Sequence, residues 1–239
     1  MWLGTGDRFP VLESRIEFAH LHHHGCVRHA ELAVRGAAAG RPLSPISGPP
    51  GRLPQALSLR LPRASTEGPT PAPLSCWASL VPFEIELEAA KVPTYLDEIA
   101  AGPALRAAWA AEQAAGRPWR ERFVKHARVE VGGASALPLG LPLEAVLTAS
   151  STPHVGKPLR FELRHRGEPL AAQPVQLVNE RSPLGLWRRT DAKGQLELAL
   201  PLAGRWLLRS TLLRPPAQPG ERWQSDFVTL AFEVVPAAP

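Results

Sequence analysis

Short apolar runs separated by turn residues dominate the last hundred residues of the chain. Between residues 141 and 235 the runs include LPLEAVL, PLRFELRH, PVQLVNE, GQLELALP, GRWLLRSTLL and DFVTLAFEV, with Gly, Pro or Asp between them. Runs of about four to eight residues with alternating apolar and polar positions are typical of β-strands, and their even spacing is typical of a β-sandwich. The pattern therefore predicts an antiparallel sandwich in this part of the chain.

The first half of the chain has a less regular pattern. Two stretches rich in Gly, Pro and Ser, residues 35–54 and 63–75, are predicted to be loops. The apolar runs around them predict strands at residues 15–19, 27–34, 56–61 and 76–87, the last being one strand or two interrupted by Pro82.

The spacing of apolar residues changes to a helical period at residues 91–116, where Pro103 stands at the start of the second segment. This pattern predicts a helical hairpin. A further change near residue 133 predicts a domain boundary, with an N-terminal β domain at residues 1–133 and a second β domain at residues 134–239. We thus expect a mainly β protein of two sandwich-like domains, with the hairpin near the end of the first.

Composition and charge exclude some classes of function. The 27 Pro and 19 Gly among 239 residues favour turns and short elements over long helices. The net charge is +5, but the Arg residues are scattered singly, so nucleic-acid binding is not expected. No apolar run reaches the length of about 18 residues that a membrane-spanning helix needs, and the start MWLGTGDRFP lacks the pattern of a signal peptide.

Cys26 and Cys76 both lie in the first half, beside apolar residues of predicted strands. A disulfide between them would close a long loop and stabilise the fold by about 3 to 4 kcal/mol on the chain-entropy model. We expect this disulfide; the alternative is a pair of buried free thiols.

The strongest concentration of chemically versatile side chains is a histidine-rich stretch near Cys26. If residues 18–24 are extended, strand alternation places His20, His22 and His24 on one face and His23 on the other. Imidazole suits Ni, Co, Cu and Zn, so these three residues are candidate ligands for a transition metal ion. Successive side chains on one strand face are about 7 Å apart, so a bend at Gly25 would be needed for all three to share an ion. The alternative is a solvated strand edge enriched in His.

Enzyme motifs are missing from the sequence: it has no G-x-S-x-G, H-E-x-x-H, phosphate-binding Gly loop or C-x-x-C. A glycoside hydrolase with Glu84 or Glu86 as acid or base lacks a second positioned carboxylate. The stretch from Trp119 to His126 is expected to dock the hairpin on a sheet through Trp119 and Phe123. An alternative role is the floor of an interdomain cleft in which Arg120 or Arg122 grips a carboxylate.

Several long segments resemble a bacterial extracytoplasmic family of unknown function whose members are often assigned to cobalt or nickel uptake. The resemblance is carried by WLGTGDRFP, VPFEIELEAAKVPTYLDEI, LRAAWAAEQAAGRPWRERFVKHARVEVG, TDAKGQLELALPLAGRWLLRSTLL and SDFVTLAFEV, and it covers nearly the whole chain. It implies a periplasmic or secreted protein with a C-terminal immunoglobulin-like or transthyretin-like domain. Family members commonly carry a His just before the Trp-Leu pair, whereas Met1 stands there in this chain. We therefore expect no amino-terminal metal site. We also expect that a leader has been removed or lies upstream.

Two hypotheses about function follow, both of them without catalysis. In the first, the protein is a periplasmic binding or accessory protein for Ni, Co or Cu, which uses His20, His22 and His24 and serves a membrane metal transporter. In the second, it is a metal-free module that binds another envelope protein or a polymer through its sheet faces and loops. Removal of the three His residues would abolish activity in the first case and leave it intact in the second.

Overall fold

The computed structural model of the chain describes residues 1–6, 9–46, 56–61, 72–148 and 152–237. Within them the strands are β1 (Trp2–Thr5), β2 (Ser14–Arg15), β3 (Leu21–Arg28), β4 (Ser44–Pro45), β5 (Leu57–Arg60), β6 (Leu74–Leu80), β7 (Phe83–Leu87), β8 (Trp119–Val131), β9 (Leu143–Leu147), β10 (Pro158–His165), β11 (Glu168–Pro169), β12 (Pro174–Asn179), β13 (Leu186–Arg189), β14 (Gln195–Ala199), β15 (Gly204–Arg214) and β16 (Trp223–Val234). The helices are α1 (His29–Arg35), α2 (Val92–Glu98) and α3 (Pro103–Ala114), and short 3₁₀ turns occupy Phe18–His20, Ala37–Ala39 and Ala89–Lys91. The prediction of a mainly β, sandwich-like protein is confirmed.

One large sheet runs through the molecule in the order β13-β12-β15-β16-β8-β6-β3. Strand β7 continues the direction of β6 beyond Val81 and Pro82 and pairs with the other end of β8. Strands β8 and β16 are parallel, whereas the other pairs are antiparallel. Because β8 ends at Val131, this pairing carries the sheet across the boundary predicted near residue 133. The division into two domains stays a prediction.

A second, smaller sheet packs on the large one to form the C-terminal sandwich. It contains β9, β10, β11 and β14. Alternate apolar residues of both sheets meet between them in a core that includes Phe161, Trp206 and Phe232. The period of two in these strands is what places every second side chain in this core.

The N-terminal part of the large sheet packs against a small sheet in the order β2-β1-β5-β4. The core between them contains Leu59, Leu80 and the Cys26–Cys76 disulfide, which joins directly opposite residues of β3 and β6. The predicted disulfide is thus present. Strand β5 matches the strand predicted at residues 56–61, while much of the two predicted loops lies outside the described residues.

The strand predicted at residues 27–34 is wrong from residue 29 onward. Strand β3 ends at Arg28, and His29–Arg35 form helix α1. Ala, Glu and Leu have high helix propensity, and Leu32 alone in this helix is buried, so a single apolar contact suffices to hold it. The predicted strand at 15–19 is also shorter, because β2 ends at Arg15 and Phe18–His20 form a 3₁₀ turn.

Helices α2 and α3 form the hairpin expected at residues 91–116. They pack on Trp119 of β8, whose ring is stacked on Trp223 at a centroid distance of 4.2 Å and meets Trp109 edge-on at 5.5 Å. Trp119 therefore docks the hairpin as predicted. None of the helices in the described part of the chain is long and apolar enough to cross a membrane.

The two faces of the large sheet are named here by residues of β8. The His126 face bears His126, Arg128 and Glu130, and it packs against β9 and α1. The Phe123 face bears Trp119, Phe123 and Lys125; the helical hairpin covers one end of it and the small N-terminal sheet covers another.

Candidate functional site

The predicted histidine site does not adopt the extended geometry on which the prediction depended. His20 ends a 3₁₀ turn, and β3 begins only at Leu21. Between Leu21 and His23 the pairing with β6 shifts by a β-bulge, which leaves His22 exposed and without a register partner. A bulge interrupts the alternation of side chains. The expected placement of His20, His22 and His24 on one strand face is therefore wrong.

His24 has its ring nitrogen engaged in a hydrogen bond. Its Nδ1 accepts a hydrogen bond of 3.1 Å from the backbone N–H of Leu43, and its ring lies 5.2 Å from that of Phe18. Burial, and then the nearby His23, lower the pKa of His24, which keeps the ring neutral at neutral pH. A neutral imidazole whose Nδ1 accepts a hydrogen bond carries its proton on Nε2. In this arrangement His24 has no lone pair left for a metal ion.

The other histidines of the stretch are turned toward separate neighbours. The ring of His20 meets Phe83 edge-on at 5.3 Å, and that of His23 lies 5.6 Å from Trp77. Throughout the described parts of the chain, no group of three or more His, Cys, Asp or Glu residues is arranged to hold a metal ion. As placed here, His20, His22 and His24 do not fit a shared ion.

A row of aromatic rings crosses the Phe123 face between the hairpin and the small N-terminal sheet. Phe83 and Phe123 are stacked at a centroid distance of 5.6 Å, and Phe227 meets Phe123 edge-on at 6.0 Å. His20 extends the row beyond Phe83. All four side chains are partly buried, and Phe83 also packs against the core under the small N-terminal sheet. These four residues are called the aromatic row below.

Strand pairing brings the row together from distant parts of the sequence. Phe83 and Phe123 are register partners on β7 and β8, and Phe227 lies on β16, which runs parallel to β8. The ammonium group of Lys125 lies 5.6 Å from the Phe123 ring and 5.7 Å from the Phe227 ring, within the range of cation–π attraction. The row is therefore an apolar ridge with a positive charge beside it.

The same face continues beyond the row with small and apolar side chains. The half-exposed neighbours on β12, β15 and β16 are Val178, Leu207, Thr211, Thr229 and Ala231, and the exposed Trp187 lies at the edge strand β13. Large apolar side chains on a sheet face are ordinarily buried, so a partly open face of this kind is typical of an interaction surface.

The His126 face contains a buried cluster of charges that is internally satisfied. Arg128, which is 0% exposed, donates to Glu130 at 2.6 Å and to Glu144 at 2.7 Å. Ser75 also donates to Glu130, and the backbone N–H groups of residues 139–141 donate to Glu144. Since each carboxylate has several donors, this cluster fixes the 135–144 segment to β8 and leaves no group free for chemistry.

A second buried group combines Ser79, His126 and Asp226 but lacks access. The Ser79 hydroxyl lies 2.9 Å from His126 Nδ1, and His126 Nε2 lies 3.5 Å from Asp226. The exposed fractions of these residues are 4%, 3% and 8%. Asp226 also accepts a 2.6 Å hydrogen bond from Arg214. No substrate carbonyl can approach a serine this deeply buried, so the three residues have a structural role.

The remaining predicted residues have other partners. Arg120 donates to the carbonyl of Gly220 at 3.0 Å, and Glu84 pairs with Arg222 at 3.1 Å. Phe123, expected to dock the hairpin beside Trp119, lies in the aromatic row instead. Sequence patterns could not identify the row, because its phenylalanines come from three strands that are up to about 140 residues apart in the chain.

Comparison with known proteins gives one partial match. Residues 99–213, from the turn between α2 and α3 to β15, are similar to the family described as "Domain of unknown function (DUF4198)". This supports the resemblance to an uncharacterised family. Searches of curated proteins and of solved structures found no match.

Proposed function

We propose that this protein is a non-enzymatic, extracytoplasmic binding protein that captures a protein partner on the Phe123 face. The observation that carries the proposal is the half-exposed aromatic row with Lys125 beside it. Aromatic residues are enriched at the centres of protein interfaces, where complete desolvation gives them a large share of the binding energy. The part of the ring area that is still exposed is the surface that a partner would bury.

The orientation of the rings favours a protein over a sugar polymer. Sugar rings bind by stacking on an open aromatic face, whereas Phe83 and Phe123 are turned toward each other at an interplanar angle of 20°. His20 meets Phe83 at 77° and Phe227 meets Phe123 at 81°. Stacking covers one face of Phe83 and one face of Phe123, and Lys125 places a cation beside Phe123 and Phe227. Aromatic rings beside a cation suit apolar side chains flanked by a carboxylate, so we propose a partner segment that is apolar and acidic.

The disulfide supports the proposed compartment. Structural disulfides persist in oxidising compartments such as the periplasm and the extracellular space and are rare in the cytosol. The Cys26–Cys76 bond joins two core strands and so supports a periplasmic or secreted location.

Site-specific crosslinking in cells that naturally make the protein tests the proposal. A photoreactive phenylalanine analogue placed at Phe227 should give one discrete adduct with a protein. The matched control is the same analogue at Val34, which is 83% exposed on α1 and so lies on the other side of the sheet. Adding Lys125→Glu to the Phe227 probe should weaken the adduct. No adduct at Phe227, or equal adducts at both positions, would refute a partner on this face.

The alternative proposal is a transition-metal accessory protein. It is favoured by the exposure of His22 and His23 at the bulge of β3, which leaves both residues accessible to an ion from solution. Calorimetric titration of the tag-free protein with Ni, Co, Cu and Zn tests it. Saturable binding that is lost in a His20/His22/His24 triple alanine variant, and kept when His154 is replaced by Ala, would support metal delivery. Absence of binding, or binding unchanged in the triple variant, would end that proposal.

A further inference from the structure

A cavity of about 180 Å³ lies between the helical hairpin and the Phe123 face. Apolar side chains lie on both walls: Ile99 and Leu105 come from the hairpin, and Pro174 and Leu213 come from the sheet. The polar lining includes Gln173, whose amide nitrogen donates to Ser210 and to the carbonyl of Thr211, and Arg189. The space is partly open to solvent, and its volume is that of a small organic group.

Arg189 bridges the two walls of the cavity. Its guanidinium donates to the carbonyl of Ala172, on the sheet side, at 2.9 Å and to that of Ala100, in the hairpin, at 3.5 Å. Among the described residues these two carbonyls are its partners, and no carboxylate lies within ion-pair distance. A guanidinium has five N–H donors, so the two carbonyls fix its position and leave donors available for an anion.

Both carbonyls belong to residues with unusual backbone conformations. Ala100 has φ of 50° and Ala172 has φ of 54°, values that non-glycine residues seldom adopt. At Ala100 the conformation ends α2, where glycine is the usual residue. Such conformations persist when the surrounding structure maintains them, and they occur often at ligand sites. Here they aim two carbonyls at one guanidinium.

We propose that this cavity binds a small apolar monocarboxylate, with its hydrocarbon group between Leu105 and Leu213 and its carboxylate on Arg189. Arginine and a carboxylate form paired, charge-assisted hydrogen bonds, and the apolar walls favour a ligand whose remainder is hydrocarbon. The size of the cavity matches one aromatic or branched aliphatic group. This small-molecule site is separate from the aromatic row and does not depend on the proposed protein partner.

Titration of the full-length, oxidised protein with phenylacetate tests the proposal, with ligand-observed NMR and calorimetry as the measurements. For a ligand of this size we expect a Kd of about 0.1 to 1 mM. Acetate lacks the apolar group and phenylacetamide lacks the charge, so each should bind at least about tenfold more weakly.

Two variants locate the site. Arg189→Gln should weaken phenylacetate binding about tenfold or more. The matched control is Arg188→Gln, because Arg188 is equally exposed and strand alternation points it to the other side of β13. Leu105→Trp keeps Arg189 but fills the cavity, and it should abolish binding while thermal unfolding shows an intact fold.

A peptide with a C-terminal Phe offers the same chemistry as the free acid. Tighter binding of Ala-Ala-Phe than of its C-terminal amide or of phenylacetate would identify a peptide terminus as the source, and tighter binding of phenylacetate would identify the free acid. No saturable binding of either, or binding that is unchanged in Arg189→Gln, would overturn the proposal.

Discussion

The two faces of strand β8 reverse the usual relation between polarity and exposure. On the His126 face the charged residues Arg128 and Glu130 are buried, whereas on the Phe123 face the apolar residue Phe123 is half-exposed. The buried charges have partners for their hydrogen bonds, so they hold the fold and have little further binding capacity. The half-exposed rings can still lose water-accessible area. The comparison teaches that the polar side of this sheet is structural and the apolar side is the candidate for recognition.

The largest effect on stability is expected from Arg128. In Arg128→Met the carboxylate of Glu144 stays buried without its cation and Glu130 keeps only His29 as a basic partner among the described residues, so we expect the free energy of unfolding to fall by about 3 to 5 kcal/mol. Urea unfolding followed by tryptophan fluorescence measures it. The control is Arg122→Met on the exposed part of the same strand, which should change little. A loss below about 1 kcal/mol for Arg128→Met would mean that the cluster does not hold the fold.

The disulfide gives the next largest effect. It links residues 50 positions apart and supports the core behind one end of the aromatic row. Replacing Cys26 and Cys76 with Ala should lower the free energy of unfolding by about 3 to 4 kcal/mol. The measurement is urea unfolding of the variant beside the wild type with and without reductant. If reductant leaves the wild type unchanged, while mass spectrometry shows free thiols, the bond does not stabilise the fold.

The sequence alone predicts those structural features that depend on residues close together in the chain. The period of two predicted the C-terminal strands, and the change to a helical period, with Pro103, predicted α2 and α3. The failures depend on pairing. The histidines at positions 20, 22, 23 and 24 do not reveal the bulge at His22, because the bulge arises from the register between β3 and β6. The aromatic row depends on the parallel contact of β8 with β16, about 100 residues away.

The candidate ligand site shows the same limit. Arg189 stands among many scattered arginines, and its sequence neighbours give no sign of a cavity. What distinguishes it is contact with Ala100 across the fold, 89 residues away. The sequence offered, as an alternative to docking of the hairpin, an interdomain cleft in which Arg120 or Arg122 grips a carboxylate, and neither of these arginines lines the cavity. Sequence reasoning therefore did not reach Arg189.

An intermediate effect is expected from Asp226, also on the buried polar side. Burial would raise the pKa of Asp226, but His126 and Arg214 outweigh burial and hold that pKa below its usual value. A carboxyl whose folded pKa is lowered stabilises the fold above its unfolded pKa of about 4, and this contribution is lost as the pH falls through the folded pKa. Asp226→Asn should thus lose about 1 to 2 kcal/mol at neutral pH.

The pH dependence separates this charge effect from a packing effect. The difference in free energy of unfolding between wild type and Asp226→Asn should be full above about pH 5 and should shrink in more acidic solution. Urea unfolding at a series of pH values measures it. A difference that stays constant down to about pH 2 would mean that the substitution disturbs packing and that the carboxylate charge contributes nothing.

A substitution in the aromatic row is expected to have the smallest effect on stability. Its result decides whether the Phe123 face differs from the His126 face in function as well as in exposure. Phe227 is half-exposed and contacts Phe123 edge-on. Phe227→Thr keeps a residue with good strand propensity beside Thr229, so the free energy of unfolding should fall by less than about 1 kcal/mol. Urea unfolding measures this, with Phe161→Thr in the sandwich core as the control that should lose several times more stability.

If Phe227→Thr were as damaging as the core substitution, the row would be part of the core and its exposure would carry no argument for a partner. If it is nearly neutral, the Phe227 ring does not stabilise the isolated fold, and binding is the role that accounts for its partial exposure.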